Sequence, residues 1–288
     1  MKFEVTQTNS YEYERPVRQS INQYRLRPLH DEMQSLEAYS AIINPSSPTY
    51  GHFDYWGNYV ETFYLWEEHR NLSIETISKV ETCPREIDLA MSLTYEQKQE
   101  LTSHAFKQAH AEYLIDRNYT IVSESVMKQE TNELWTQSRD ELDFVVQLNE
   151  HIYNTMTYVS GATNVLTTAE EVLHHRTGVC QDFTHLMLAL CRYRGIPARY
   201  VSGYIYIGEN SAYRGDAATH AWLEVKLPGL EWIGLDPTNN VIASEQHIRI
   251  AVGRDYSDIS PLKGVYIGGT HTLDVSVSVK NLEERVSG

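Results

Sequence analysis

Residues 177–183 read TGVCQDF, a turn followed by the beginning of a helix. After Cys180, apolar side chains recur at the three- and four-residue spacing of one helix face. Gly195 can take the left-handed conformation that ends a helix, and Pro197 prevents its continuation. The segment therefore predicts a helix that begins at or near Cys180 and ends before Pro197.

A cysteine at the first position of a helix has an unusual chemical environment. The unpaired backbone N–H groups and the positive end of the helix dipole favour the thiolate over the thiol there. Because the thiolate is the nucleophilic form of the side chain, Cys180 is a candidate nucleophile. The alternative is a packed core thiol, since free cysteine is among the most buried residue types.

Two later segments supply partners for this cysteine: residues 219–222, THAW, and residues 235–238, LDPT. His220 begins one predicted strand, and Asp236 ends the next strand after a turn near residues 228–231. In antiparallel neighbours, the residue that opens one strand lies beside the residue that closes the other. We therefore expect His220 to act as the base for the thiol and Asp236 to orient its imidazole.

Four motifs in this order resemble the core of the transglutaminase-like superfamily: GVCQDF at 178–183, GIPAR at 195–199, HAW at 220–222 and DPT at 236–238. YWGN at 55–58 and the segment 253–264 are similar to the β-domain and the C-terminal segment of a bacterial subgroup. Many proteins of that subgroup are described as cysteine proteases without a known substrate. The resemblance implies an α+β fold with a papain-like core, in which the helix carrying the cysteine packs on an antiparallel sheet.

The remaining sequence predicts three parts. Residues 1–85 contain short alternating runs at near-regular spacing, which is typical of an antiparallel β-sandwich. Residues 86–136 contain helix-forming runs and are interpreted as a helical connector. Residues 137–288 form the predicted catalytic core, which opens with a helix over 139–157 and includes the C-terminal strands.

Composition restricts the partners and the compartment. The 288 residues carry 24 basic and 39 acidic side chains, and the net charge of −15 argues against nucleic acid and anionic membrane surfaces. Three cysteines do not form a disulfide framework, and no apolar run is long enough for a secretory signal or a membrane span. We expect a cytoplasmic protein that does not bind a membrane.

The histidines around Cys180 make a zinc site worth weighing. His174, His175 and His185 lie close to it in sequence, but their spacing does not match known zinc frameworks. Nothing in the sequence resembles the calcium sites of animal transglutaminases. We therefore expect neither a metal nor another cofactor.

The site also needs groups that stabilise an oxyanion. The backbone N–H of Cys180 is one expected donor. For the second donor the sequence leaves Gln181, Trp222 and a tyrosine, Tyr153 or Tyr158, as candidates.

Several neighbours of the site have simpler interpretations. Asp182 is assigned to the first helical turn, where a negative charge is favourable. Cys191 is assigned to core packing, and Cys83 to a structural position before Pro84.

Together these features predict a cysteine-dependent hydrolase that acts on a peptide or protein amide through a thioester. One alternative is an acyl-transferase or deamidase that acts on protein glutamine, because it shares every step up to the thioester. Another is a catalytically inactive scaffold whose β-domain binds a partner. The substrate and the oligomeric state are left open by the sequence.

Overall fold

The computed structural model describes residues 1–83, 87–208, 214 and 219–283. Its helices are α1 (Tyr95–Thr102), α2 (His104–Ala109), α3 (Glu124–Gln137), α4 (Glu141–Thr155), α5 (Ala169–His175), α6 (Cys180–Tyr193) and α7 (Tyr256–Ile259), with a 3-10 turn at Ala111–Leu114. Its strands are β1 (Lys2–Tyr24), β2 (Gln34–Asn44), β3 (Thr49–Phe53), β4 (Tyr59–Leu65), β5 (His69–Thr82), β6 (Thr157–Tyr158), β7 (Thr177–Gly178), β8 (Ala198–Ile205), β9 (His220–Lys226), β10 (Trp232–Asp236), β11 (Val241–Ile242), β12 (His247–Gly253), β13 (Leu262–Ile267) and β14 (His271–Asn281).

The N-terminal region is an antiparallel β-domain built around β1. The strand order is β2-β5-β1-β4-β3, and the register of β1 against β5 shifts between Glu12 and Val17. Before this irregularity β1 pairs with β5 and β14, and after it β1 pairs with β4 and β13. Side chains from both halves form one apolar cluster that includes Tyr24, Phe63 and Leu72. The expected antiparallel β-domain is therefore confirmed.

The last two strands pair with the N-terminal domain. The sequence places them at the end of the predicted catalytic core, residues 137–288, and in the structure β13 and β14 pair with β1. The alternation along β14 predicted a strand but could not identify its partner, because a strand pattern defines faces and not neighbours. The proposed limits of the three parts otherwise stay a prediction.

The region that carries the predicted catalytic residues is a second antiparallel sheet with helices on one face. Its strand order is β11-β10-β9-β8-β12, and α6 packs across β8 and β9. Nearly every residue of α6 after Gln181 is buried, because α3, α4 and α5 cover the sides that the sheet does not. This is the papain-like arrangement that the motifs implied.

Helix ends follow the sequence signals closely. The helix expected over 139–157 is α4, and its N-cap Asp140 accepts a hydrogen bond from the Asp143 N–H at 3.0 Å. The helix expected after Thr168 is α5, and Thr168 and Glu171 satisfy each other's backbone N–H groups in a capping box. The connector contains α1, α2 and α3, as predicted.

The two sheets are joined along the free edge of β12. The side-chain amide of Gln34 bonds to both backbone groups of Arg249, and that of Asn58 bonds to both backbone groups of Val252, at 2.8 to 2.9 Å. Both amide side chains are buried. They replace the strand that β12 lacks on this side and so fix the catalytic sheet against the N-terminal domain.

Across the described ranges, none of the helices is both long enough and apolar enough to cross a membrane.

Candidate active site

The predicted nucleophile is the first residue of α6. Cys180 is half-buried, and the chain enters α6 through β7, which pairs in parallel with β6. The Val179 N–H donates to the Asp182 carboxylate at 2.8 Å, which holds the turn closed. A Cβ at Gly178 would come within 2.8 Å of the Asp182 Cβ, so this turn requires glycine at that position.

His220 and Asp236 meet as the hairpin predicted. The Nε2 atom of His220 lies 2.7 Å from Oδ2 of Asp236, and both side chains are buried. Asp236 also accepts hydrogen bonds from the Thr238 N–H at 2.9 Å and from the Asn239 side-chain amide at 2.8 Å. All these contacts suit an ionised carboxylate that holds the imidazole in one orientation.

The electrostatics of the pair are dominated by burial and by mutual attraction. Burial alone would lower the pKa of His220, but the Asp236 charge and hydrogen bond raise it well above its ordinary value. Burial alone would raise the pKa of Asp236, and His220 brings it below its usual range. The helix α6, which begins at Cys180, packs on β9, which begins at His220. Hydrogen bonding and the charge of Cys180 raise the pKa of His220 further. The three predicted residues therefore lie in the same region of the fold.

Comparison with known proteins defines the family. Residues 128–237 match the profile of the transglutaminase-like superfamily, and residues 3–81 match the bacterial transglutaminase-like N-terminal region. An uncharacterized protein of Mycobacterium leprae is 34% identical over 284 residues, which cover 98% of this chain and 99% of the relative. The chain belongs to the bacterial transglutaminase-like family.

A second relative and a solved structure are also similar to this chain over nearly its whole length. An uncharacterized protein of Mycobacterium tuberculosis is 32% identical over 294 residues, covering 98% of this chain and 93% of the relative. Among solved structures, a protein from Cytophaga hutchinsonii, named a "putative cysteine protease", superposes with a TM-score of 0.79 at 26% identity. The superposition covers 98% of this chain and 91% of that one, so the similarity extends over both sheets.

Trp222, one of the suggested oxyanion donors, is a core residue of this family member. The side chain is fully buried, and its indole N–H has no hydrogen-bond partner among the residues that the structure describes. It lies flat across β8 and β10, because a Cβ at Gly203 would fall 2.6 Å from the indole ring and one at Gly234 would fall 3.6 Å from its nitrogen. A side chain without exposed surface does not reach a substrate oxygen in this conformation.

The other suggested donors are engaged elsewhere. The Gln181 amide donates to the carbonyl oxygen of Val165 at 3.3 Å. The ring of Tyr153 is covered by the Arg214 guanidinium at 3.6 Å, and Arg214 also donates to the Tyr153 carbonyl. The oxyanion roles of Gln181 and Tyr153 stay predictions.

A residue that sequence reasoning missed, His247, lies behind Asp236. Its Nδ1 accepts the Ser244 N–H at 3.2 Å, so Nε2 carries the proton and faces Oδ2 of Asp236 at 3.5 Å. Its ring packs edge-on against Trp222 at 5.0 Å. Burial lowers the pKa of His247, so the ring stays neutral at ordinary pH. The available signal was a histidine at the start of β12, a strand in which every residue is buried.

Only one group of potential metal ligands occurs within the described segments. Ligand atoms of His220, Asp236 and His247 lie within 4.8 Å of one another. The 2.7 Å hydrogen bond between His220 and Asp236 takes the position that an ion would need between them. His174, His175 and His185 do not join such a group. His185 instead accepts a hydrogen bond from the Tyr256 N–H and stacks on Tyr119.

Asp182 does more than occupy the first turn of α6. Its side chain is buried, and besides the Val179 N–H it accepts a hydrogen bond from the Thr163 hydroxyl at 2.6 Å. Burial raises its pKa, while these two hydrogen bonds oppose the rise. Asp182 thereby ties residues 159–167 to the beginning of α6.

All three thiols are free, and their environments differ. Cys191 is fully buried on α6, as expected, and burial raises its pKa to about 12. Cys83 is exposed, and Cys180 is half-buried. The chain therefore contains its own buried and exposed reference thiols for the predicted nucleophile.

Proposed function

We propose that this protein is a cysteine-dependent hydrolase that cleaves peptide or other amide bonds through a thioester. Cys180 is the nucleophile, His220 is the general base and acid, and Asp236 orients His220. The single observation that carries the proposal is the 2.7 Å hydrogen bond between the imidazole of His220 and the buried carboxylate of Asp236, on the sheet against which the helix that begins at Cys180 packs.

The reaction begins with an ion pair. Because Nε2 of His220 is bonded to Asp236, Nδ1 is the nitrogen that takes the proton of the thiol. The raised pKa of His220 stabilises the imidazolium, and the N-terminus of α6 stabilises the thiolate. The thiolate sulfur then attacks the carbonyl carbon of the amide, and the carbonyl oxygen becomes an oxyanion.

The intermediate breaks down in two proton-balanced steps. His220 donates its proton to the amine as the C–N bond breaks, which leaves a thioester on Cys180. Neutral His220 next removes a proton from water, and the resulting hydroxide attacks the thioester carbonyl. The C–S bond breaks, the acid leaves, and the proton on His220 restores the ion pair. The first N–H of α6 has no intrahelical acceptor, which supports its role as an oxyanion donor.

Acetylation by p-nitrophenyl acetate tests the proposal without a known amide substrate. We expect a burst of p-nitrophenolate and an acetyl group on the peptide that contains Cys180. Cys180→Ser should abolish both signals, while Cys83→Ser should leave them unchanged. Acetylation of Cys180 no faster than that of Cys83 would contradict the proposal and favour an inactive scaffold.

The same assay separates hydrolysis from acyl transfer. With methylamine present, a hydrolase should still release mainly acetate from the acetyl-enzyme. Formation of N-methylacetamide in its place would show that an amine resolves the thioester, as in a transglutaminase. Water is the simpler acceptor because it needs no second binding site.

We also propose a reducing, cytoplasmic environment, which the three free thiols support. The net charge of −15 supports a peptide or protein partner over nucleic acid. Measurement of the redox state of Cys83 and Cys180 in freshly lysed cells tests the first statement.

A further inference from the structure

The loop between β6 and α5, residues 159–167, is unusually apolar for an exposed segment. It reads VSGATNVLT and has no charged residue, in a chain with a net charge of −15. Val159, Val165 and Leu166 are 39%, 55% and 71% exposed. Single exposed apolar residues are ordinary, but three on one short loop need a reason.

This loop is attached on both sides of the predicted nucleophile. The Val159 N–H donates to the Gly178 carbonyl oxygen at 3.0 Å, just before Cys180. Just after Cys180, Gln181 donates to the Val165 carbonyl oxygen at 3.3 Å. The hydrogen bond between Thr163 and Asp182 adds a third attachment. The loop is therefore held against the turn and the first helical residues on either side of Cys180.

Hydrogen bonds within the loop keep its shape. The Asn164 side chain accepts the Leu166 N–H at 2.9 Å, and the Thr167 hydroxyl accepts the Asn164 N–H at 3.1 Å. The Thr167 N–H in turn donates to the Asn164 carbonyl at 3.0 Å. An ordered loop presents an apolar surface to a ligand at a smaller entropic cost than a loop that must first be ordered.

We propose that residues 159–167 form the wall of the substrate cleft and bind an apolar side chain next to the scissile amide. The substrate class is then a peptide or amide with an aliphatic or aromatic group beside the reacting carbonyl. This inference rests on the proposed function, because Cys180 must be the residue that meets that carbonyl. Burial of the apolar group against Val165 and Leu166 supplies the selectivity. The hydrogen bond between Thr163 and Asp182 makes these two residues positioning residues.

Alkylation of Cys180 tests the wall without turnover. We would compare iodoacetamide with N-hexyliodoacetamide, which carries an apolar tail, and use Cys83 as the internal reference thiol. We expect N-hexyliodoacetamide to modify Cys180 about tenfold faster than iodoacetamide, relative to the same ratio at Cys83. Val165→Asp and Leu166→Asp should each reduce this preference to about unity, and Leu166→Met should retain it.

The positioning role has its own matched pair of variants. Thr163→Val removes the hydroxyl that binds Asp182, and Thr163→Ser keeps it. We expect the preference for the apolar reagent to fall in the first variant and to persist in the second.

The possible failures are distinguishable. If both reagents alkylated Cys180 rapidly and without preference, residues 159–167 would not bind an apolar group, and the proposed function would be unaffected. A preference that survives both aspartate substitutions would also overturn the proposed role of these residues. Alkylation of Cys180 no faster than that of Cys83 by either reagent would contradict the proposed function, and with it this inference.

Discussion

The two ends of α6 are held in opposite ways. At its C-terminal end the Arg192 guanidinium is buried and donates to five acceptors: the carbonyl oxygens of Tyr113, Ile115, Ala198 and Arg254 and the hydroxyl of Thr120. At its N-terminal end Cys180 is half-buried, and the first N–H groups have no intrahelical acceptors. One end is held by five hydrogen bonds of a single buried side chain, and the other end carries the proposed nucleophile.

This difference shows how one helix serves stability and chemistry together. Burial lowers the pKa of Arg192 to about 10, so the guanidinium is still charged at neutral pH and interacts with the helix C-terminus. The firmly attached end allows the reactive end to leave polar groups unpaired without loss of the fold. Loss of contacts at the C-terminal end should therefore affect stability, and changes at the N-terminal end should affect reactivity.

Loss of Arg192 should have the largest effect. Arg192→Met leaves several buried acceptors without a donor, and we expect the free energy of unfolding to fall by about 4 kcal/mol. Urea unfolding followed by circular dichroism measures it. Arg18→Met is the control, because exposed Arg18 pairs with exposed Glu68, and it should change stability by less than about 0.5 kcal/mol. If Arg192→Met and Arg18→Met lowered the free energy of unfolding equally, Arg192 would have no special role in holding α6.

Loss of His220, the proposed base, should have the second-largest effect. His220→Ala removes the acceptor of the thiol proton, and we expect acetylation of Cys180 by p-nitrophenyl acetate to slow by about 100-fold. His174→Ala, an exposed histidine outside the cluster, should leave the rate unchanged. Unchanged acetylation in the first variant would exclude His220 as the base.

The ion pair near the turn before Cys180 should make the free energy of unfolding depend on pH in the acid range. Arg176, the C-cap of α5, pairs with Glu130, and His151 lies 3.6 Å from the same carboxylate. Hydrogen bonding to His151 and then to Arg176 lowers the pKa of Glu130 to about 2. Since 3.6 Å is longer than a hydrogen bond, we attribute most of the effect to Arg176.

The sign of this pH dependence follows from the lowered pKa. The ionised form of Glu130 stabilises the folded state above the ordinary pKa of 4.5, and this contribution is lost as the pH falls towards 2. Glu130→Gln should therefore cost about 2 kcal/mol of unfolding free energy at pH 7 and little at pH 2. Glu68→Gln, at an exposed pair, should cost almost nothing at either pH. An equal cost of Glu130→Gln at pH 2 and pH 7 would contradict the assignment.

The smallest effect should come from His247. Without the His247 N–H beside it, the Asp236 carboxylate is less firmly held in the orientation that meets His220, so the imidazolium is less stable and the thiolate forms at higher pH. We expect His247→Leu to move the acid limb of Cys180 alkylation upward and to reduce the rate at pH 6 by about tenfold. His247→Gln, which retains a donor, should recover part of the loss. Identical pH profiles in all three proteins would exclude a role for His247 beyond packing.

Local signals predicted where Cys180 lies and which side chain His220 meets. The start of α6 followed from a glycine turn and helical spacing, and the approach of His220 to Asp236 followed from a short hairpin. Both depend on residues that are close in sequence, where backbone geometry limits the outcomes.

Contacts between distant segments were not predictable in this way. Periodicity places His247 in a strand, but only the three-dimensional fold brings it to Asp236. The sequence offers Trp222 as one of several candidate oxyanion donors, and its burial could not be predicted because the two glycines that make room for its ring, Gly203 and Gly234, lie on other strands. The pairing of β14 with β1 joins the two ends of the described chain, which no local pattern encodes.

The central claim is that the N-terminus of α6 and His220 activate Cys180. The most direct test is the rate of alkylation by limiting iodoacetamide from pH 5 to pH 9, with each site quantified by mass spectrometry. We predict that at pH 6 Cys180 reacts much faster than exposed Cys83, while buried Cys191 stays unmodified. A profile for Cys180 that follows an ordinary thiol, with half-reaction near pH 8.5 and no advantage over Cys83, would contradict it.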